Sequence, residues 1–120
     1  MDDFMKELEQ LGCNMQSTLS RFLDDRDFYV ECYTEMLADE GFARLGRELQ
    51  AENMEAAFKT AHMLKGMIAN MGLESMGTHI GKLVEALRTQ QRSCAELMPG
   101  YEELMAEKAK YDALVEKYSL

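Results

Sequence analysis

Residues 54–72 read MEAAFKTAHMLKGMIANMG, and the period of their apolar positions decides the fold. On a wheel of about 100° per residue, Met54, Ala57, Phe58, Ala61, Leu64, Ile68 and Met71 fall on one stripe. That is the pattern of an amphipathic helix with one face in a core. Asn53 stands where an N-cap is needed, because its side-chain oxygen can accept from the free N–H groups of a first turn. Gly72 stands where a left-handed residue closes a helix. The segment 54–71 is thus expected to be a helix with its own start and stop.

The helical period continues on both sides. Residues 2–11, with Phe4, Leu8 and Leu11 on one face, predict a short opening helix, and residues 14–23 a second short helix or turn. Asp24 or Asp25 can cap a third helix running to about residue 40, with Phe28, Tyr29, Cys32, Tyr33, Met36 and Leu37 turned inward. Gly41 breaks or kinks it, and Phe42, Leu45 and Leu49 carry the pattern to about residue 50. A helix over 74–92 puts Met76, Ile80, Leu83, Val84 and Leu87 inward. A turn at 93–100 then leaves Pro99 near the first position of a last helix bearing Tyr101, Leu104, Tyr111, Leu114, Val115 and Tyr118. Long amphipathic segments joined by short turns predict an all-α fold: an antiparallel four-helix bundle with short N-terminal capping helices, one domain over 1–120.

Composition agrees. The 120 residues are one domain's worth, 47% of them are hydrophobic, and a single proline leaves helices uninterrupted. A formal net charge of −9 argues against nucleic acid, which needs clustered Lys and Arg, and against an anionic membrane surface. No apolar run reaches the roughly 18 residues that span a bilayer, and the acidic start MDDFMKELEQLG is unlike a signal peptide. The three cysteines are scattered without a CxxC pair, so neither a zinc site nor a disulfide framework is indicated, and a cytoplasmic location is expected. With Met1 as the natural start, the chain reads as a complete small protein.

Within the central helix, residues 61–66 (AHMLKG) are out of place for a structural segment. His62 falls about 130° from the centre of the apolar stripe, so the imidazole is expected to be at least partly exposed. Lys65 follows at i+3, within side-chain reach. Gly66, one turn above His62, costs about 1 kcal/mol relative to Ala in a helix interior, and Ala69 lies near the same line. A cation beside the imidazole disfavours a metal ligand and suits a histidine that acquires negative charge, as a phosphoryl group on a ring nitrogen would supply. A missing side chain at Gly66 suits a partner surface that must come close to the ring.

The run AHMLKG, with Ala69 and Gly72 downstream, resembles the signature of histidine-containing phosphotransfer (HPt) domains of two-component phosphorelays. The upstream stretches FLDDRDFYVECYTEML and FARLGRELQAENMEAAFK and the last helix are similar to that family's layout. The resemblance implies that His62 is the phosphoacceptor, that Lys65 interacts with the phosphoryl group and that Gly66 gives clearance to a docking receiver domain. It implies a phosphoryl carrier without kinase activity, in which a phosphohistidine passes the group between aspartates. The partners it implies are receiver domains of response regulators and hybrid histidine kinases. Mg²⁺ would sit on the receiver, with no cofactor on this chain. The chain departs from the family at Met63, where a small or hydroxyl residue is common, and at the bulkier Met67 and Ile68; these positions would shape which receiver docks.

Other features have plainer readings. Lys59 can add to the positive field around His62 or be a solvated lysine, and the second is favoured. His79, at the edge of the next helix's stripe, has Lys82 at i+3 but Leu83 at i+4, and reads as a boundary histidine. Met63, Met67 and Met71 recur every four residues beside the core stripe; a soft-metal Cu(I) site is one reading, and flexible apolar packing the favoured one. The acidic groups at 24–27 and 39–40 read as caps and solubility charge. Cys32 reads as core, with Cys13 and Cys94 as incidental free thiols. Three functions compete: a stand-alone phosphotransfer protein acting through His62, a non-catalytic helical adaptor binding a protein through a Met-rich surface, and a His/Met metal-binding bundle. The core stripes are narrow enough to be consumed within one bundle, so a monomer is expected.

Overall fold

The computed structural model describes residues 2–120. Seven α-helices follow in order: α1 (Asp3–Gln10), α2 (Met15–Ser20), α3 (Arg26–Leu37), α4 (Gly41–Gln50), α5 (Met54–Asn70), α6 (Glu74–Thr89) and α7 (Cys94–Lys117). No strand occurs among the described residues. α4 packs on α5, α5 on α6, α6 on α7 and α7 back on α4, closing a four-helix ring. α3 lies ahead of α4 in the row between α5 and α7, and α1 and α2 cap the end of the bundle. The all-α bundle with short N-terminal capping helices is therefore the fold observed.

Side-chain caps set most helix starts. Asp2, Asn14, Asp25, Asn53 and Ser93 each accept a bond from a first-turn backbone N–H, each worth about 1 kcal/mol. α5 stops as its sequence predicts. Gly72 takes φ +74°, its N–H donates to the Ala69 carbonyl at 3.1 Å, and the Leu73 N–H donates to Ile68 at 3.3 Å. This paired arrangement closes a helix with a left-handed residue. A side chain at Gly72 would also run into Thr18 of α2, so the same glycine admits the N-terminal cap. At the other end of α4, the Gly41 N–H is held by Asp39 Oδ1 at 2.7 Å, and a Cβ there would meet Met63 Cε at 2.9 Å. The break in the α3–α4 row falls at residues 38–40, since α3 ends at Leu37 and Gly41 is already the first residue of α4, where it lets α4 cross α5 closely.

The core holds the expected apolar stripes, with Ala57, Ala61, Leu64, Ile68 and Met71 of α5 all buried. Polar ties then fix the cap to the ring. The Tyr29 hydroxyl donates to the Met71 carbonyl and that of Tyr33 to the Tyr111 carbonyl, each at 2.8 Å. The Tyr111 hydroxyl meets Ser75 Oγ at 2.6 Å. Burial pushes all three phenols well above their ordinary pKa, so they stay protonated donors wherever the protein is folded near neutrality. On the opposite seam the Tyr101 hydroxyl donates to the Phe42 carbonyl at 2.7 Å. Lys108 lies over the Phe42 ring, 5.0 Å from its centroid, while paired with Asp112 at 2.9 Å.

Four expectations need correction. The last helix starts at Cys94 and not after Pro99, because Ser93 and Glu96 form a reciprocal capping box: the Glu96 N–H donates to Ser93 Oγ at 3.2 Å and the Ser93 N–H to Glu96 Oε1 at 3.0 Å. Pro99 therefore sits in the second turn, where it deprives the Ala95 carbonyl of its helical donor. Pro99→Ala should raise stability by about 1–3 kcal/mol, read as a higher urea midpoint at constant slope. Second, α6 ends at Thr89, three residues early, with Gln90 in left-handed backbone at φ +54°. Third, Phe28 points out, 45% exposed, because Phe22 from the preceding turn takes the interior place against Tyr29, their rings edge-on at 5.2 Å. Cys32, on the same side of α3, is only half-buried. Fourth, Cys13 and Cys94 are free thiols as expected but are buried in the core.

Candidate functional site

α5 is a helix with a buried side, two flanks and an outer pole. Ala61 and Leu64, which bracket His62 in the motif, are fully buried and hold the register of the helix in the bundle. That anchoring turns His62, Lys65, Gly66 and Ala69 outward, and all four are exposed. The imidazole has no hydrogen bond or ion pair among the described residues; its neighbour is the half-buried Phe58, one turn earlier, with ring centroids 5.9 Å apart and planes at 37°. An aromatic pair at i and i+4 falls within the range of favourable ring contacts. Both ring nitrogens are thus left unengaged on the surface.

Lys65 likewise has no carboxylate partner among the described residues, so its ammonium is available at i+3 from the imidazole. Lys59 is different: its Nζ lies 3.3 Å from Glu55 Oε1 one turn back, an exposed pair on the outer face. This favours the solvated reading over a contribution to the field at His62. A Cβ built on Gly66 meets nothing within 4 Å. No neighbour inside the molecule requires a glycine there, in contrast to Gly41 and Gly72.

The flanks differ. On the α6 side lie Ala69, Gly77 and, one turn on, Gly81. On the α3–α4 side lie Met63, exposed, and Met67, half-buried. Thr60 on this side is buried and meets Arg44 Nε at 3.4 Å, a contact that the apolar stripe alone does not reveal. Arg21, which follows the last residue of α2, is the other contributor invisible to sequence periodicity: its guanidinium donates to the Ala69 and Asn70 carbonyls at 3.2 and 3.0 Å, capping the C-terminal end of α5 from 48 residues away.

The second histidine is elsewhere. His79 faces α7, with Nδ1 3.9 Å from Glu103 Oε2, and belongs to a cleft with Lys82, Pro99 and Gly100. It is not brought to His62. Among the described residues no group of three or more His, Cys, Asp or Glu is arranged to hold a metal ion.

An exposed, unengaged imidazole on a bundle helix, a free lysine one turn on and an outer glycine with no internal purpose form the arrangement to which the family comparison adds its finding. Residues 29–114 match the family model of the Hpt domain. The chain belongs to the Hpt domain family. Hpt domains are phosphocarriers rather than kinases; they act in two-component signalling and interact with receiver domains of phosphorelay proteins. The match takes in α4, α5 and α6 whole and α3 from Tyr29 on, and leaves α1, α2 and the end of α7 outside. No curated protein and no solved structure is similar enough to the chain to match it. Among the described residues no helix is long and apolar enough to cross a membrane.

Proposed function

We propose that this Hpt protein is a stand-alone shuttle that carries a phosphoryl group between receiver-domain aspartates on His62. The observation that carries the reading is the exposed His62 imidazole, free of internal partners, beside the open space over Gly66. A neutral imidazole has one nitrogen with a lone pair and one bearing a proton, a balance available near pH 7. The lone pair attacks phosphorus of an aspartyl phosphate; the P–O bond to the carboxyl oxygen breaks, the aspartate leaves as carboxylate, and the proton stays on the other ring nitrogen. The reverse step delivers the group to a second receiver. Lys65 supplies a point charge to the phosphoryl oxygens, Gly66 and Ala69 keep the approach clear, and Mg²⁺ is carried by the receiver, with no metal or cofactor on this chain. The strongly acidic chain acts as a cytoplasmic monomer that binds neither nucleic acid nor membrane.

The test is transfer itself. Receiver domains loaded with acetyl phosphate should pass label to the chain, and the label should be acid-labile and base-stable, as a phosphoramidate is. A second reading, a non-catalytic adaptor, has the exposed Met63 and the adjoining Met67 surface in its favour. It expects receivers to bind without any acid-labile phosphate appearing, and that result would replace the shuttle reading.

A further inference from the structure

Residues 2–28 precede the stretch matched by the family model, and they build a surface that phosphotransfer at His62 does not use. α1 packs on α2, and between them and the turn into α3 lies a cavity of about 600 Å³. Its apolar lining is the buried Met5 of α1 and the half-buried Leu19 of α2. Asp2, Glu9 and Asp24 bring exposed carboxylates to it. The cation in the lining, Arg26, is already paired with Asp2 and Asp27, whereas Glu9 and Asp24 have no ion pair among the described residues. Beside Asp24 stands Leu23, 87% exposed. Leu23 and Asp24 both have left-handed backbone, at φ +58° and +56°, a conformation that crowds a Cβ and is rare for a leucine. The turn is fixed all the same: the Asp24 N–H donates to the Leu19 carbonyl and the Asp25 N–H to the Phe22 carbonyl, each at 2.9 Å. A strained, hydrogen-bonded turn thus holds a large apolar side chain in solvent at the edge of an apolar cavity, and strain of this kind is kept where it serves a purpose.

We propose that this N-terminal cap is a docking site separate from the histidine face, and that its occupant is an amphipathic helix of a partner protein, apolar on one face and edged by lysine or arginine. A helix fits because the described residues offer no strand edge to extend, and a groove between two helices takes the side-chain ridge of a third. The apolar face seats on Met5 and Leu19, and Leu23 closes over its side. Leu23 is the anchor: its turn is already ordered, so little freedom is lost when the side chain is covered. Charge selects the occupant. Glu9 and Asp24, with Asp3, Asp25 and Asp27 exposed around them, meet the basic edge. The same carboxylates repel a second copy of this chain, which would bring an identical acidic rim and a net charge of −9. None of the residues that form the cavity is on α5. A protein held at the cap therefore leaves His62 open, and a phosphoryl donor or acceptor joined to such a helix gains effective concentration at the imidazole without any new contact there.

The test uses the full chain and a fluorescent synthetic helix about five turns long, with leucines on one face and lysines on the other; a matching helix with glutamate in place of lysine is the charge control. Anisotropy titrations compare the wild type with Leu23→Gly and Glu9→Lys at the cap and with Met63→Ser and Glu85→Lys elsewhere, all exposed positions. Leu23→Gly should weaken binding of the Leu/Lys helix roughly tenfold, the scale of an interface anchor, while the melting temperature stays at or above that of the wild type, because glycine takes the left-handed backbone without a Cβ. Glu9→Lys should weaken it about three- to tenfold, with the gap closing as salt is added. Met63→Ser and Glu85→Lys should stay within about twofold of the wild type, and the Leu/Glu helix should bind at least about tenfold more weakly. Failure of the Leu/Lys helix to bind, or equal binding to all four variants, overturns the proposal. So does binding that responds to Met63 or Glu85 instead, or a Leu/Glu helix that binds as well. Sedimentation equilibrium of the chain alone checks the remaining occupant: a dimer that Leu23→Gly dissolves assigns the cap to a second copy and overturns the helix. None of these outcomes bears on transfer through His62, which stands or falls on its own assay.

Discussion

His62→Gln should abolish acid-labile phosphorylation of the chain, and His79→Gln should leave it at the wild-type level. Glutamine fills the space of an imidazole but has no nitrogen lone pair to attack phosphorus, since the amide nitrogen's is delocalised. Deleting the nucleophile of a covalent transfer costs on the order of 10⁴-fold or more, below detection in a labelling assay. The fold does not confound the result. His62 is exposed and makes no hydrogen bond, so the substitution should move stability by no more than about 0.5 kcal/mol, which a thermal melt checks. His79 tests specificity, because a general loss of surface histidine chemistry would affect both. It faces α7 beside Glu103 and is 28% exposed, with Leu83 buried where a clearing glycine would have to be. Full labelling of the His62 variant would remove the assignment outright.

Why His62 was legible in the sequence and other parts were not follows from the range of the interactions. The stripe Ala57–Ala61–Leu64–Ile68 is local, and the off-stripe position of His62 needs nothing but helical period. Asn53 and Gly72 act on backbone groups within a few residues, and the structure has both in the expected roles. The start of α7 was equally local, since Ser93-Cys94-Ala95-Glu96 spells a capping box. Its two reciprocal hydrogen bonds outweigh the proline signal at Pro99, which the helix tolerates a turn later. Phe28 shows a different failure. Its apolar character says that it can be buried, whereas Phe22, outside the helix, took the place against Tyr29. Arg21 capping α5 and the Tyr29, Tyr33 and Tyr111 ties join residues 36–78 positions apart, and no periodicity encodes such pairs. Gly66 has no contact inside the molecule that requires a glycine, and the clearance role proposed for it rests on its place one turn above His62.

That makes Gly66→Leu the sharpest separation of structure from function in this chain. Within the folded protein the new side chain meets open space, since a Cβ there has no neighbour within 4 Å. Leucine is also favoured over glycine in a helix interior by up to about 1 kcal/mol, so the melting temperature should rise by several degrees. Transfer should fall all the same. In-line displacement needs the reacting nitrogen and phosphorus about 3–3.5 Å apart, and a misplacement of about 1 Å can cost on the order of 10²-fold. A leucine one turn from His62 on the outer face of α5 holds a receiver off by at least that much. Transfer from a phosphorylated receiver should therefore slow by about 10²-fold, while a small phosphoramidate donor, which needs no docking surface, should label His62 at the wild-type rate. Gly66→Ala should fall between, because a methyl group adds less relief to the helix. If the leucine variant accepts phosphate from the receiver as fast as wild type, Gly66 is not the clearance point. If both donors fail equally, the substitution has disturbed the imidazole itself and not the approach to it.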